Sequence, residues 1–183
     1  MTEGKSLCVF CGSAAVTAPE HRDAARLLGT LIGRSQCKLV YGGGRVGLMG
    51  ILADAALAAG AHVTGVIPLG LHDREVGHVG ITEMIVVRDM QERKRRMFEL
   101  ADAVAVLPGG LGTLDEAFEA ITLSQLGLWV KPIVLVDIGG FWVPLLALID
   151  HVINAGFARP EVRGRYQVVG DVGDVIPACF GVR

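Results

Sequence analysis

The chain has 183 residues, 51% of them hydrophobic, and 17 Lys and Arg against 19 Asp and Glu give a formal charge of −2. That length suits one sizeable core and is short for two, so one domain over residues 1–183 is expected, and the slightly acidic balance argues against a general nucleic-acid binder. Mean hydropathy is high at +0.49, yet Gly, Pro or charge interrupts every apolar stretch before the ~18 residues that a membrane helix needs.

The opening MTEGKS is polar and too short for a signal peptide. A first strand is expected over about Leu7–Gly12, and it contains a C-x-x-C, Cys8 and Cys11. In a strand an offset of three sends the two thiols to opposite faces, and no second pair or nearby histidine completes a zinc site. The four cysteines therefore read as buried thiols of a reducing compartment, and the expected location is cytoplasmic, with no metal. Helical patterns at about Pro19–Gly33 and Gly47–Ala59 flank a strand at Lys38–Gly42, and a further strand follows at His62–Pro68.

The turn YGGGRVGLMG satisfies G-x-G-x-x-G with Gly42, Gly44 and Gly47, after a strand and at the mouth of a helix. Recognition of NAD also wants an acid about 20 residues on, and HVTGVIPLG offers none. The turn reads either as an anion site or as close helix–strand packing. The stretch Leu69 to Gly80 is the least regular and is expected to be an active-site loop.

Beyond it come a strand at Thr82–Val87, a helix at Asp89–Ala101, a strand at Val104–Leu107 and a helix at Thr113–Leu126. A strand at Pro132–Asp137, a helix at Phe141–Ala155, a weak strand at Gln167–Val169 and a helix at Val172–Cys179 complete the chain. Alternation of this kind, with strands such as PIVLVDI that are apolar on both faces, implies an α/β class fold: a Rossmann-like, doubly wound parallel sheet with helices on both faces.

Two segments carry chemistry. In LPGGLGTLDE, the glycines bring backbone N–H groups close to an anion at a helix start, and Thr113 is a good N-cap. The P-loop lysine is missing, which argues against phosphoryl transfer from ATP. Glu116 reads either as the last residue of a capping box T-x-x-E or as a working acid. In RDMQERKRRMFELADA, rotation at about 100° per residue puts Arg93 and Lys94 inside the apolar arc formed by Met97, Phe98, Leu100 and Ala101. A lone buried charge costs several kcal/mol, so these cations snorkel out, find a bland partner such as Asp89, or await an anion. Arginine and lysine beside a phosphate would make an acid tolerable there. Such an acid suits cleavage of an N-glycosidic bond, whose transition state is positive at the anomeric carbon.

FCGS, VYGGGRVGLMG, PLGLHDREV, DMQERK and PGGLGTLDE together resemble, in this order, the motifs of the LOG ("Lonely guy") family of cytokinin riboside 5′-monophosphate phosphoribohydrolases. The similarity runs from about Ser6 to Phe157. The resemblance implies a dimer or larger homo-oligomer that needs no cofactor and releases the base from AMP-like nucleotides, including N6-modified ones. By position it implies Arg93 and Glu116 as the catalytic pair. It implies nucleotide contacts from Lys94, Gly110, Leu111, Gly112, Thr113, Leu114 and Asp115, with Glu75 and Thr122 at further binding positions. Ser13, at the end of the first strand, reads either as a pocket residue or as a turn hydroxyl. Gln91, Leu111 and Asp115 depart from the residues frequent in the family, and Leu111 leaves the base preference open.

Two rival readings remain. A pyridoxal-phosphate decarboxylase needs a Schiff-base lysine, and of Lys5, Lys38, Lys94 and Lys131 only Lys94 is near the glycine turn. A non-catalytic carrier for a nucleotide or pterin-type cofactor would bind without hydrolysing. The apolar excess of the helix TLDEAFEAITLSQLGLW supports the expected oligomer.

Overall fold

The structure, a computed structural model, describes residues 2–15, 18–72 and 77–181. Its elements are β1 Ser6–Phe10, α1 Pro19–Arg34, β2 Lys38–Tyr41, α2 Gly47–Ala58, β3 Val63–Pro68, α3 Leu69–His72 and β4 Glu83–Val87. They continue with α4 Met90–Leu100, β5 Ala103–Val106, α5 Leu111–Gln125, β6 Ile133–Val136, α6 Val143–Asn154, β7 Gln167–Val169 and α7 Val175–Phe180.

All seven strands pair in parallel, in the order β4-β3-β2-β1-β5-β6-β7. Parallel sheets need both faces covered, which explains why β5 (AVAV) and β6 (IVLV) are buried at every residue. One core joins Leu7, Val9 and Tyr41 to the apolar sides of α1, α2 and α7. The other joins Cys8, Phe10 and Val104 to α4, α5 and α6. Cys8 and Cys11 thus fall on opposite faces of the sheet, as their spacing in the sequence requires.

Helices α1 and α2 approach closely because their contact is made of small residues. A Cβ on Gly29 would lie 2.4 Å from the carbonyl oxygen of Leu52, and one on Gly33 2.5 Å from Ala59 Cβ. The chain moves outward from β1 to β4 with α1 and α2 on one face, then crosses back to β5 through α4 on the other. Right-handed crossovers dictate this change of face. The reversal between β1 and β5 opens a crevice at their carboxyl ends, where ligands of such sheets bind.

Several boundaries differ from the sequence reading. Helix α5 starts at Leu111, not Thr113, with Gly110 as its N-cap. The stretch after β3 is not all loop, since Leu69–His72 forms one helical turn. The last two helices begin later than expected, at Val143 and Val175, each preceded by a short 3-10 turn. Among the described residues, no helix is long and apolar enough to cross a membrane.

Candidate active site

The loops after β1 and β5 meet over the crevice. Gly12 N–H donates to the Pro108 carbonyl at 3.1 Å, and Gly109 packs so tightly that a Cβ there would sit 2.1 Å from Thr113 Oγ1. This contact permits no side chain at position 109. It also aims the start of α5 at the carboxyl ends of β1 and β2. Leu114 N–H closes the first helical bond onto Gly110 at 3.0 Å, which leaves the N–H groups of Leu111, Gly112 and Thr113 without partners inside the helix. These residues line a cavity of about 300 Å³ together with Ser13, Gly42, Met49, Arg93, Gly110 and Glu116.

Because the helix starts at residue 111, Thr113 lies within its first turn, buried to 3% exposure, and caps nothing. The capping-box reading of Glu116 therefore fails, and its carboxylate is left for the cavity. Burial pushes that carboxyl from the ordinary 4.5 up to about 7, against the opposing pull of the Arg93 guanidinium. The neighbouring Asp115 pushes it further up, Lys94 draws it down, and Glu119 adds a smaller upward push. A carboxyl so tuned exchanges protons near neutrality, as a general acid–base group must.

Arg93 is buried at 7% exposure on α4. It does not pair with Asp89, whose carboxylate caps α4 by accepting the Glu92 N–H at 2.8 Å. The guanidinium instead donates from Nε to the Val66 carbonyl at 3.1 Å and from Nη2 to the Gly42 carbonyl at 2.8 Å. Backbone carbonyls of β3 and of the turn after β2 thus hold the cation in place. Among the described residues no carboxylate oxygen comes within 4.0 Å of it, and the residue lines the cavity. Gly42 is bare for this reason: a Cβ there would lie 2.1 Å from Arg93 Nη2.

The glycine turn after β2 thus serves close packing and clearance for Arg93. Gly47 adopts φ +70° at the start of α2, where a Cβ would come within 2.6 Å of the Ala14 carbonyl oxygen.

Of the residues singled out in the sequence, Ser13, Arg93, Gly110, Leu111, Gly112, Thr113 and Glu116 line one cavity. Leu111 is 84% exposed at its mouth. Four others do not line it. Lys94 is buried between α4 and α5, where Nζ lies 2.8 Å from Asp115 Oδ2 and 2.6 Å from Glu119 Oε2. Neither Lys94 nor Asp115 lines the cavity, Leu114 packs toward the core under α4 and α5, and Thr122 is exposed about three turns along the helix. Glu75 lies outside the described residues.

Sequence reasoning missed Glu119, although its i,i+4 spacing from Asp115 puts both acids on one helix face. It also missed His78. This buried histidine accepts the Gly80 N–H at Nδ1 (3.1 Å), which leaves the proton on Nε2 to be donated to Asp54 at 2.9 Å. With the His78 N–H on the Gly43 carbonyl at 3.0 Å, it moors the chain at His78 to the glycine turn.

Comparison with known proteins identifies the family and the fold. The family described as "Possible lysine decarboxylase" matches residues 49–179. A cytokinin riboside 5′-monophosphate phosphoribohydrolase of Rhodococcoides fascians is 46% identical over 95% of this chain and 88% of its own length. The Arabidopsis thaliana enzyme LOG1, of the same name, is 44% identical over 87% of this chain and 75% of its own. Among solved structures, a molybdenum cofactor carrier protein from Chlamydomonas reinhardtii superposes with a TM-score of 0.72 at 22% identity, covering 96% of each chain. The molybdenum cofactor binding protein of Rippkaea orientalis gives 0.71 at 20% identity, over 96% of this chain and 95% of that one. These two share the fold.

Proposed function

The chain belongs to the LOG family of cytokinin riboside 5′-monophosphate phosphoribohydrolases, and from that premise we propose that it hydrolyses the N-glycosidic bond of adenosine 5′-monophosphate and its N6-modified forms. The products are the free base and ribose 5-phosphate. The observation that carries this reading is the convergence of Arg93 and Glu116 on one cavity roofed by the N-terminus of α5.

The substrate phosphate sits on the first-turn N–H groups of Leu111, Gly112 and Thr113, where the helix dipole adds roughly 0.3–1 kcal/mol or more with partial burial. The ribose then reaches toward Glu116, one turn deeper. Ionised Glu116 takes a proton from water as the water oxygen bonds to C1′. The C1′–N9 bond breaks, its electron pair leaves with the base, and the base recovers a proton, so that one water is consumed. The developing positive charge at C1′ is stabilised by the carboxylate. Arg93 keeps that carboxylate ionisable despite its burial. The apolar Met49 and the exposed Leu111 line the same cavity, and such side chains suit contact with an apolar substituent on N6.

The working form is a homodimer or higher homo-oligomer. Phe118, Leu126 and Leu128 stay exposed on and beyond α5, at 39%, 63% and 72%, more apolar surface than a lone helix face carries in water. Light scattering tests this.

The decisive experiment incubates the protein with AMP and with an N6-prenylated AMP and follows free base by chromatography. Release from either, abolished in Glu116→Gln, is the expected result. Binding of AMP without any release would make the protein a carrier.

A further inference from the structure

On the reading just given, we infer that Lys94 is a positioning residue rather than a phosphate ligand: its buried ammonium, shared by Asp115 and Glu119, locks α4 to α5 and balances the two acids that flank Glu116.

The geometry is specific. Asp115 and Glu119 stand four residues apart on one face of α5, with Glu116 between them in sequence. The Lys94 side chain is 7% exposed, and its nitrogen is within 2.8 Å of one acid and 2.6 Å of the other. One of the three ammonium donors goes to Asp115, and the Glu119 carboxylate stands beside it as a second, purely ionic partner. Burial works against the charge of Lys94, yet its bonds to Asp115 and Glu119 outweigh that and raise its pKa above the ordinary lysine value. An ammonium held this way does not line the cavity where the phosphate would sit.

The consequence falls on Glu116. From α4 it faces Arg93 and Lys94, and from its own helix Asp115 and Glu119. From β1 and the turn after it come Cys8 and Cys11, whose thiols burial holds protonated. With all of these present, two cations stand against two acids, and Glu116 can ionise. Without Lys94, one guanidinium would face two acids, and a third negative charge on the same helix turns would be disfavoured. Lys94 therefore does two things at once. It fixes the helix that carries Arg93 against the helix that carries Glu116, and it lets Glu116 work near neutral pH.

The test follows the Glu116 side-chain carboxyl by 13C NMR titration, its signal assigned through Glu116→Gln. Full-length wild type, Lys94→Met, Glu119→Gln and the double variant are compared, with kcat and KM for AMP measured alongside. Removing a cation close to Glu116 is expected to raise its titration midpoint by about one pH unit, and removing an acid to lower it by a similar or smaller step. In the double variant the two changes offset, and the midpoint returns toward wild type. KM should change by less than about fivefold while kcat follows the titration.

Should Lys94→Met fail to fold, Glu119→Gln alone still decides, because it keeps the Lys94–Asp115 pair. An unmoved midpoint in Glu119→Gln overturns the proposal. So does a rise of about fiftyfold or more in KM for Lys94→Met at constant midpoint, the signature of a lost phosphate ligand. The titration needs no turnover. If midpoints shift as expected while wild type releases no adenine, the clamp stands and the hydrolase reading falls.

Discussion

Replacing Glu116 with glutamine is expected to abolish base release and also to stabilise the folded protein above neutral pH. Burial holds the carboxyl near 7 in the fold against an ordinary 4.5. The fold therefore prefers the protonated acid. The preference contributes stability in full below about pH 4.5 and is lost as pH rises through about 7. At roughly 1.4 kcal/mol per tenfold in proton affinity, the ionised carboxylate costs about 3 kcal/mol at pH 8. Glutamine has nearly the same shape and no charge to desolvate. Arg93 keeps its bonds to Val66 and Gly42 without it. The variant should match wild type near pH 4.5 and exceed it by up to about 3 kcal/mol at pH 8. For a chain of this size, at about 2–4 °C per kcal/mol, that is a Tm gain of roughly 6–12 °C. Differential scanning calorimetry across pH 4.5–8.5 measures it. A Tm difference that does not grow with pH would mean that Glu116 is solvated or fully ion-paired, and the account of its tuning would be refuted.

Other expectations follow from the same contacts. Gly42→Ala drives a methyl to 2.1 Å from Arg93 Nη2 and displaces the guanidinium. Release of adenine should fall about tenfold or more, a loss of at least ~1.4 kcal/mol in transition-state stabilisation, and steady-state kinetics would reveal it. Arg93→Lys keeps the charge but cannot reproduce two directed bonds to carbonyls 3.1 and 2.8 Å away. Its activity should drop far more than phosphate affinity, as a comparison of kcat with AMP binding would show. Gly29→Ala overpacks the α1–α2 contact against the Leu52 carbonyl and should cost about 1–3 kcal/mol without touching the cavity, so thermal stability falls while kcat is retained. All four cysteines are buried, and burial raises the thiol pKa of each above its ordinary value. An aromatic disulfide reagent should therefore label the native protein slowly and the unfolded chain at once.

The parallel, doubly wound sheet was legible in the sequence because it is written in local pattern. Short runs apolar on both faces alternate with amphipathic segments, and only a covered parallel sheet satisfies both. Arg93 was legible for a similar reason, since the helical period alone puts it among Met97 and Phe98, where a charge needs an explanation. The start of α5 was not. In GGLGT three of the four residues before the threonine are glycines, and intrinsic propensity places the first turn at Thr113. The close approach of Gly109 to Gly12 and Thr113, between segments almost a hundred residues apart, begins the helix at Leu111 instead. That shift of two residues turned Glu116 from a plausible cap into a buried acid.

What compensates each cation was also beyond the sequence. No periodicity says that the Arg93 guanidinium ends on the carbonyls of Gly42 and Val66, or that Lys94 reaches Asp115 and Glu119. The sequence alone determined which charges must lie inside, because burial follows from the pitch of one helix. Only the tertiary structure decided what they meet there, because a partner for a buried charge is chosen by how separate strands and helices pack.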